Sequence, residues 1–158
     1  MRLPAPLLLL ALLPATALAA DACAYLSQSD AAALTGQPVT NVDAAPARRD
    51  EDSGGQLNYC TYRSAGSAAV VSVVEFPSEV AARKQLSAAM VRGRMDNDGA
   101  RVTEESGIGE KAYYGISTQG SMIVFVKNNK VVAIGAGGTK PAPKEALRKV
   151  ALAVAGKL

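Results

Sequence analysis

Ser121-Met122-Ile123-Val124-Phe125-Val126-Lys127-Asn128-Asn129-Lys130-Val131-Val132-Ala133-Ile134-Gly135-Ala136 decides the fold class of this chain. Two apolar, β-branched runs flank an Asn-Asn pair. Asn tolerates positive φ, so the pattern predicts a tight antiparallel hairpin with strands over 121–127 and 130–136. Both runs are apolar on both faces, and such strands are normally covered on both sides.

Working outward, Lys111 to Ser117 predicts a third strand just before the hairpin, and Arg101 to Glu104 a short one before that. Upstream, Leu57 to Arg63 and Ala68 to Phe76 flank the turn Ser64-Ala65-Gly66-Ser67 and predict a second hairpin. In its second strand Ala69, Val71 and Val73 point one way, and Val70, Val74 and Phe76 the other. Val39 starts another short strand in this reading. Asp43 to Gln56, with Pro46, Gly54, Gly55 and the run Arg48-Arg49-Asp50-Glu51-Asp52, reads as a surface loop.

Three segments carry helical signals. Ser27-Gln28-Ser29-Asp30 is a capping pattern ahead of Ala31 to Leu34, with Gly36 at the stop, so a short helix is expected over 28–35. Pro77 is expected to open a longer helix to about Arg92, with Ala82, Leu86, Ala89 and Met90 inward. After Pro141 and Pro143, Leu147, Val150, Ala151, Val154 and Leu158 form one face of a last helix. Together these predict an α+β fold: an antiparallel sheet of about five strands, two longer helices on it, a short N-terminal helix and one disulfide. Arg63-Ser64-Ala65-Gly66-Ser67 echoes Ser117-Thr118-Gln119-Gly120-Ser121. The echo marks either a duplicated hairpin-plus-helix unit or two turns that converged.

The N-terminus reads as a targeting segment. Arg2 precedes the apolar run Leu7 to Leu13, Pro14 breaks it, and Ala17-Leu18-Ala19 has the small-x-small form that signal peptidase cleaves. The expected division is a signal peptide over 1–19 and one α+β domain over 20–158, exported to the periplasm or beyond. The apolar run is about half the ~20 residues of a spanning helix, so no membrane span is expected. Lipid attachment at Cys23 is disfavoured, because Ala20-Asp21-Ala22 supplies an acidic residue and lacks the apolar one three before the cysteine.

The chain has 17 Lys and Arg against 14 Asp and Glu. Losing Arg2 with the leader leaves a charge of about +2, too small to imply nucleic acid or an anionic membrane as partner. There is no His, which removes the commonest general base and metal ligand. Two cysteines, Cys23 and Cys60, follow the leader. In an oxidising compartment the simplest state of such a pair is a disulfide, closing a loop of roughly 38 residues and contributing about 4 kcal/mol in the chain-entropy model.

Motifs that could carry chemistry do not hold together. Asp96-Asn97-Asp98-Gly99 with Glu105 has part of a calcium-loop pattern, but its first ligand position is Arg94. Gly107-Ile108-Gly109-Glu110-Lys111-Ala112 fits a loose dinucleotide pattern without the buried strand before it or the helix after it. Gly135 to Lys140 lies between strand and helix without phosphate-loop spacing, and reads as a flexible loop. Cys60 has no histidine base, and no serine sits in a nucleophile elbow. No catalytic, cofactor-binding or metal-binding residue is therefore assigned, and no cofactor is expected.

Cys23-Ala24-Tyr25-Leu26-Ser27 leading to Ala33-Leu34-Thr35-Gly36, then Cys60-Thr61-Tyr62, then Gly107-Ile108-Gly109-Glu110-Lys111-Ala112-Tyr113, resembles a broad group of small exported bacterial proteins and lipoproteins of unknown function. The resemblance implies an α+β fold with Cys23 and Cys60 bridged, and carries no activity or catalytic residue with it. The expected function is a non-catalytic cell-envelope domain that binds an unknown protein or small ligand. The alternatives are a periplasmic hydrolase using carboxylates and an inhibitor or structural envelope protein. Apolar strands with two apolar faces either receive cover from the helices and the Asp43 loop, or leave an apolar groove or dimer face.

Overall fold

The computed structural model describes residues 21–95 and 99–158. The leader over 1–19 with its cleavage point, and the Asp96–Asp98 part of the calcium-like loop, lie outside the described residues. A 3-10 turn at Ala22–Ala24 is followed by α1 (Gln28–Thr35), β1 (Asn41–Arg49), β2 (Gln56–Ser64), β3 (Ser67–Glu75), α2 (Glu79–Gln85) and α3 (Ala88–Arg94). Then come β4 (Arg101–Glu105), β5 (Lys111–Ile116), β6 (Gly120–Lys127), β7 (Lys130–Gly138) and α4 (Lys144–Ala155). The strands form one seven-stranded sheet, ordered β1-β2-β3-β7-β6-β5-β4, and every neighbouring pair is antiparallel. The Asn128-Asn129 hairpin is present, with Asn128 at φ 54.

The sheet separates two apolar layers. On one face Val71 and Val73 of β3, Ile123 and Phe125 of β6, and Val132 and Ile134 of β7 meet Ala31 and Leu34 of α1 and Leu147, Val150, Ala151 and Val154 of α4. Cys60 of β2 joins this layer and bonds Cys23, with Cα atoms 5.1 Å apart. Tyr62 donates its hydroxyl hydrogen to the carbonyls of Leu26 and Cys23, so the N-terminal segment is tied to β2 beside the disulfide. Burial raises the Tyr62 pKa, assisted by Asp21 and Asp30. On the opposite face Val74 and Phe76, Val124 and Val126, and Val131 and Ala133 meet Ala82, Leu86 and Val91 from α2, α3 and the joint between them.

Ion pairs fix the helices to the sheet. Glu105 at the end of β4, its side chain 8% exposed, accepts from Lys144 at 2.5 Å and Arg148 at 3.4 Å. Glu110 accepts the backbone N–H of Asn128 at 2.9 Å and pairs with Arg83 of α2 at 3.2 Å. Burial alone would raise the Glu110 pKa, but the Asn128 N–H and the Arg83 guanidinium outweigh it and hold the carboxyl below its ordinary value.

Several expectations are corrected. The sheet has seven strands, not about five. The Asp43–Gln56 segment is a loop only over 50–55; its first half belongs to β1, an edge strand without an apolar alternation. Its register shifts between Ala45 and Arg48, around Pro46, which has no N–H for the ladder. The helix expected from Pro77 to Arg92 is two seven-residue helices. Pro77 lies outside the first, which Ser78 caps by accepting from Ala81 N. Ser87 caps the second by accepting from Met90 N. Between them Leu86 is extended, at φ −87 and ψ 113, and drops into the core at 1% exposure. This break buries Val91, while Ala89 is exposed. The flexible loop expected from Gly135 is a continuation of β7 as far as Gly138. The turns of the echo lead into β3 and β6, which run parallel on either side of β7. β3 leads directly to helix, whereas β6 leads to β7, and α2–α3 and α4 lie on opposite faces.

Candidate functional site

The α2–α3 face is only partly roofed. Each of these helices is about 10 Å long at ~1.5 Å per residue. α2 lies against β6 and β7, and α3 against β4 and β5. Toward β2 and β3 the sheet surface is open, and a cavity of ≈ 640 Å³ lies there. Leu57, Val70, Val74 and Met122 make its apolar floor. Tyr59 and Ser72 add a phenol and a hydroxyl, and Met90 stands on the α3 side. A second depression of ≈ 470 Å³ shares Val70 and Met122 and extends past Gly135 to Ala68 and Gly138. The two form one trough along β3.

Local sequence explains its walls. The register sets Val70 opposite Gly135 and Gly135 opposite Met122. Two apolar side chains therefore flank a position with none, and the Met122 side chain lies beside it, its Cε 3.9 Å from where a Gly135 Cβ would stand. The wall on the β1–β2 side is the 50–55 loop. It closes on itself through Asp50 N to Gly55 O and Gly54 N to Asp50 O, both 2.7 Å. Asp50 Oδ2 also accepts from the backbone N–H and hydroxyl of Ser53. The loop can lie this close because Gly55 has no side chain: a Cβ there would stand 2.5 Å from Val74 Cγ1.

Opposite charges stand on the two walls, with Asp50 and Asp52 on the loop and Arg94 at the end of α3. Among the described residues none of these three forms an ion pair. Neither the Tyr59 hydroxyl nor the Ser72 hydroxyl hydrogen-bonds to another described group. The groups with displaced pKa values lie elsewhere and have structural partners. Asp43 is lowered by its hydrogen bond from Arg63 and by Asn41, and Tyr114 on the sealed face is raised by burial.

Cys23 and Cys60 are joined. Glu105, the last ligand position of the calcium-like pattern, instead receives Lys144 and Arg148. Among the described residues no three His, Cys, Asp or Glu side chains gather as a metal site. In the dinucleotide-like pattern Gly107 and Gly109 have positive φ and turn the chain into β5. A Cβ on Gly109 would lie 2.1 Å from the carbonyl oxygen of Val126, so the glycine serves a close backbone approach. Sequence reasoning missed Asp50, Asp52, Tyr59, Ser72, Met122 and Arg94 as a group. Their only early signal was the surplus of apolar strand faces.

No protein-family model matches this chain, and no curated protein does. A similar solved structure is the extracellular domain of PknH from Mycobacterium tuberculosis. The TM-score is 0.47 at 13% sequence identity, over 84% of this chain and 96% of that one. A likeness that remote carries no functional meaning.

Proposed function

We propose that residues 1–19 are a cleaved signal peptide and that 20–158 form an exported, non-catalytic domain of the bacterial cell envelope that binds a protein partner or small ligand in the trough. The observation that carries the reading is a sheet face left half uncovered, with an apolar floor, two hydroxyl groups without hydrogen-bond partners among the described residues, and charged walls. Accessible apolar surface in a concavity is where binding recovers the most from water. The disulfide fits an oxidising compartment. Because Cys23 Sγ is bonded to Cys60, it does not also carry a thioether-linked lipid, which supports release in soluble form. No helix among the described residues is long and apolar enough to cross a membrane.

Fragment screening by amide chemical-shift mapping tests the site. The expected result is that hits cluster on Leu57, Tyr59, Val70, Ser72 and Met122, and that Val70→Arg abolishes them. Shifts that scatter over the surface, or that survive in Val70→Arg, would refute the trough as the binding site.

A further inference from the structure

We infer that the occupant of the trough is an extended peptide segment of a partner protein, apolar at alternate residues and carrying a Lys or Arg at the end that meets Asp50 and Asp52. The inference rests on the trough being the binding site and names what fills it.

Three observations select a peptide. First, Ala68, Val70 and Ser72 of β3 line the trough and remain partly exposed. Four steps at ~3.3 Å make this stretch roughly 13 Å long, the span of an extended peptide of about five residues. Side chains of such a peptide alternate, so every second one faces the floor of Leu57, Val70, Val74 and Met122. Methionine is unbranched and polarizable, and fits varied apolar partners.

Second, Ser72 and Tyr59 stand within this floor with hydroxyl groups that no described protein group satisfies. A hydrocarbon chain lying there would desolvate them without return, which is costly. A peptide backbone brings N–H and C=O groups that can pair with them. The trough is also open along its length, so a polar backbone edge can stay in water while alternate side chains are buried.

Third, the charges are asymmetric. Asp50 and Asp52 stand on the loop wall without ion-pair partners among the described residues, and Arg94 is on the opposite wall. A basic side chain is attracted at the loop and repelled near Arg94, so charge sets the direction in which the peptide lies.

Random nonapeptides displayed on phage, selected on the immobilised disulfide-bonded protein and counter-selected on Val70→Arg, test the class. Melting curves establish that each variant is folded; if Val70→Arg is not, Met122→Lys takes its place. Selected peptides are expected to carry Lys or Arg beside alternating apolar residues. In fluorescence anisotropy their affinity should fall at least tenfold in Asp52→Lys, a change at an exposed position with no described partner. Failure to select any trough-dependent peptide, while fragments still map to Leu57, Val70 and Met122, would overturn the peptide and leave the trough. Peptides that bind Asp52→Lys as tightly as the unaltered protein would overturn the charge recognition.

Discussion

On the face that carries Val71, Phe125 and Ile134, α1, α4 and the disulfide-tied N-terminal segment cover the central strands and leave a depression of ≈ 340 Å³ beside Ala44, Pro46 and Asn58 at the β1 edge. On the face that carries Val70, Met122 and Gly135, two short helices close only part of the sheet. Both faces draw on the same β-branched strands. What separates them is the helix available to each. α4 has twelve residues with Leu147, Val150, Ala151 and Val154 on one stripe. The α2–α3 segment is interrupted at Leu86, and its two pieces rest against β4 to β7. The apolar content of a strand therefore does not tell whether its surface is core or site. The reach of the covering helix does.

The sharpest way to break this comparison is to remove equal chemistry from each face. Val71 has no exposed surface, and Val71→Ala should cost about 2–3 kcal/mol through lost burial and a cavity that the sealed layer cannot collapse. Val70→Ala, on the open face, should cost about 1 kcal/mol or less, because Val70 is only half-buried and water already reaches it. Urea titrations of both variants measure the difference. Equal costs would mean that the trough is as tightly packed as the sealed face.

The second test concerns how the sealed face is held at its margin. Replacing Cys23 and Cys60 together by alanine should cost about 2–4 kcal/mol, because the bridge closes a sequence separation of 37 residues in the unfolded chain. The Tyr62 hydrogen bonds to Leu26 and Cys23, the Lys157 bond to the Tyr25 carbonyl and the burial of Ala22 and Leu26 would then hold the N-terminal segment. Hydrogen exchange should quicken in 22–35 and hardly change in α2 and α3. Faster exchange spread evenly over both faces would contradict a bridge that serves one layer.

Much of this architecture is legible in the chain. The Asn128-Asn129 hairpin, the strands at 57–63, 68–76 and 101–104, the first helix with its Ser27 cap and the stripe of the last helix all follow from local pattern. The open face is less legible for identifiable reasons. β1 lies at an edge, pairs on one side only and is mostly solvent-exposed, so it has no apolar alternation to detect. The break at Leu86 comes from Ser87 choosing to cap a second helix, against a stripe that would also suit a continuous one. The site depends on register: Val70 meets Gly135, and Gly135 meets Met122, only because β3 pairs with β7 across more than fifty residues of chain. Alternation within each strand shows two faces, but not which face of one strand joins which face of the next.

The smallest expected effect is electrostatic and lies beside the open face, where Glu110 links α2 to the β6–β7 turn. Its folded-state pKa is depressed, since the N–H of Asn128 and the guanidinium of Arg83 favour the carboxylate and outweigh the burial that opposes it. A depressed carboxylate pKa contributes stability above the unfolded value, about 4.3 for glutamate, and loses it as pH falls through the lower folded value. Glu110→Gln retains a carbonyl oxygen for the Asn128 N–H and deletes the titration. The unaltered protein should therefore lose more stability between pH 6 and pH 3 than Glu110→Gln does, and Arg83→Ala should fall between them. Urea midpoints at the two pH values measure this. Because Arg83 is half exposed, screening should shrink the difference in high salt. Parallel pH profiles for all three proteins would show that Glu110 holds the turn by hydrogen bonding alone, and that charge contributes nothing to anchoring α2 at the margin of the trough.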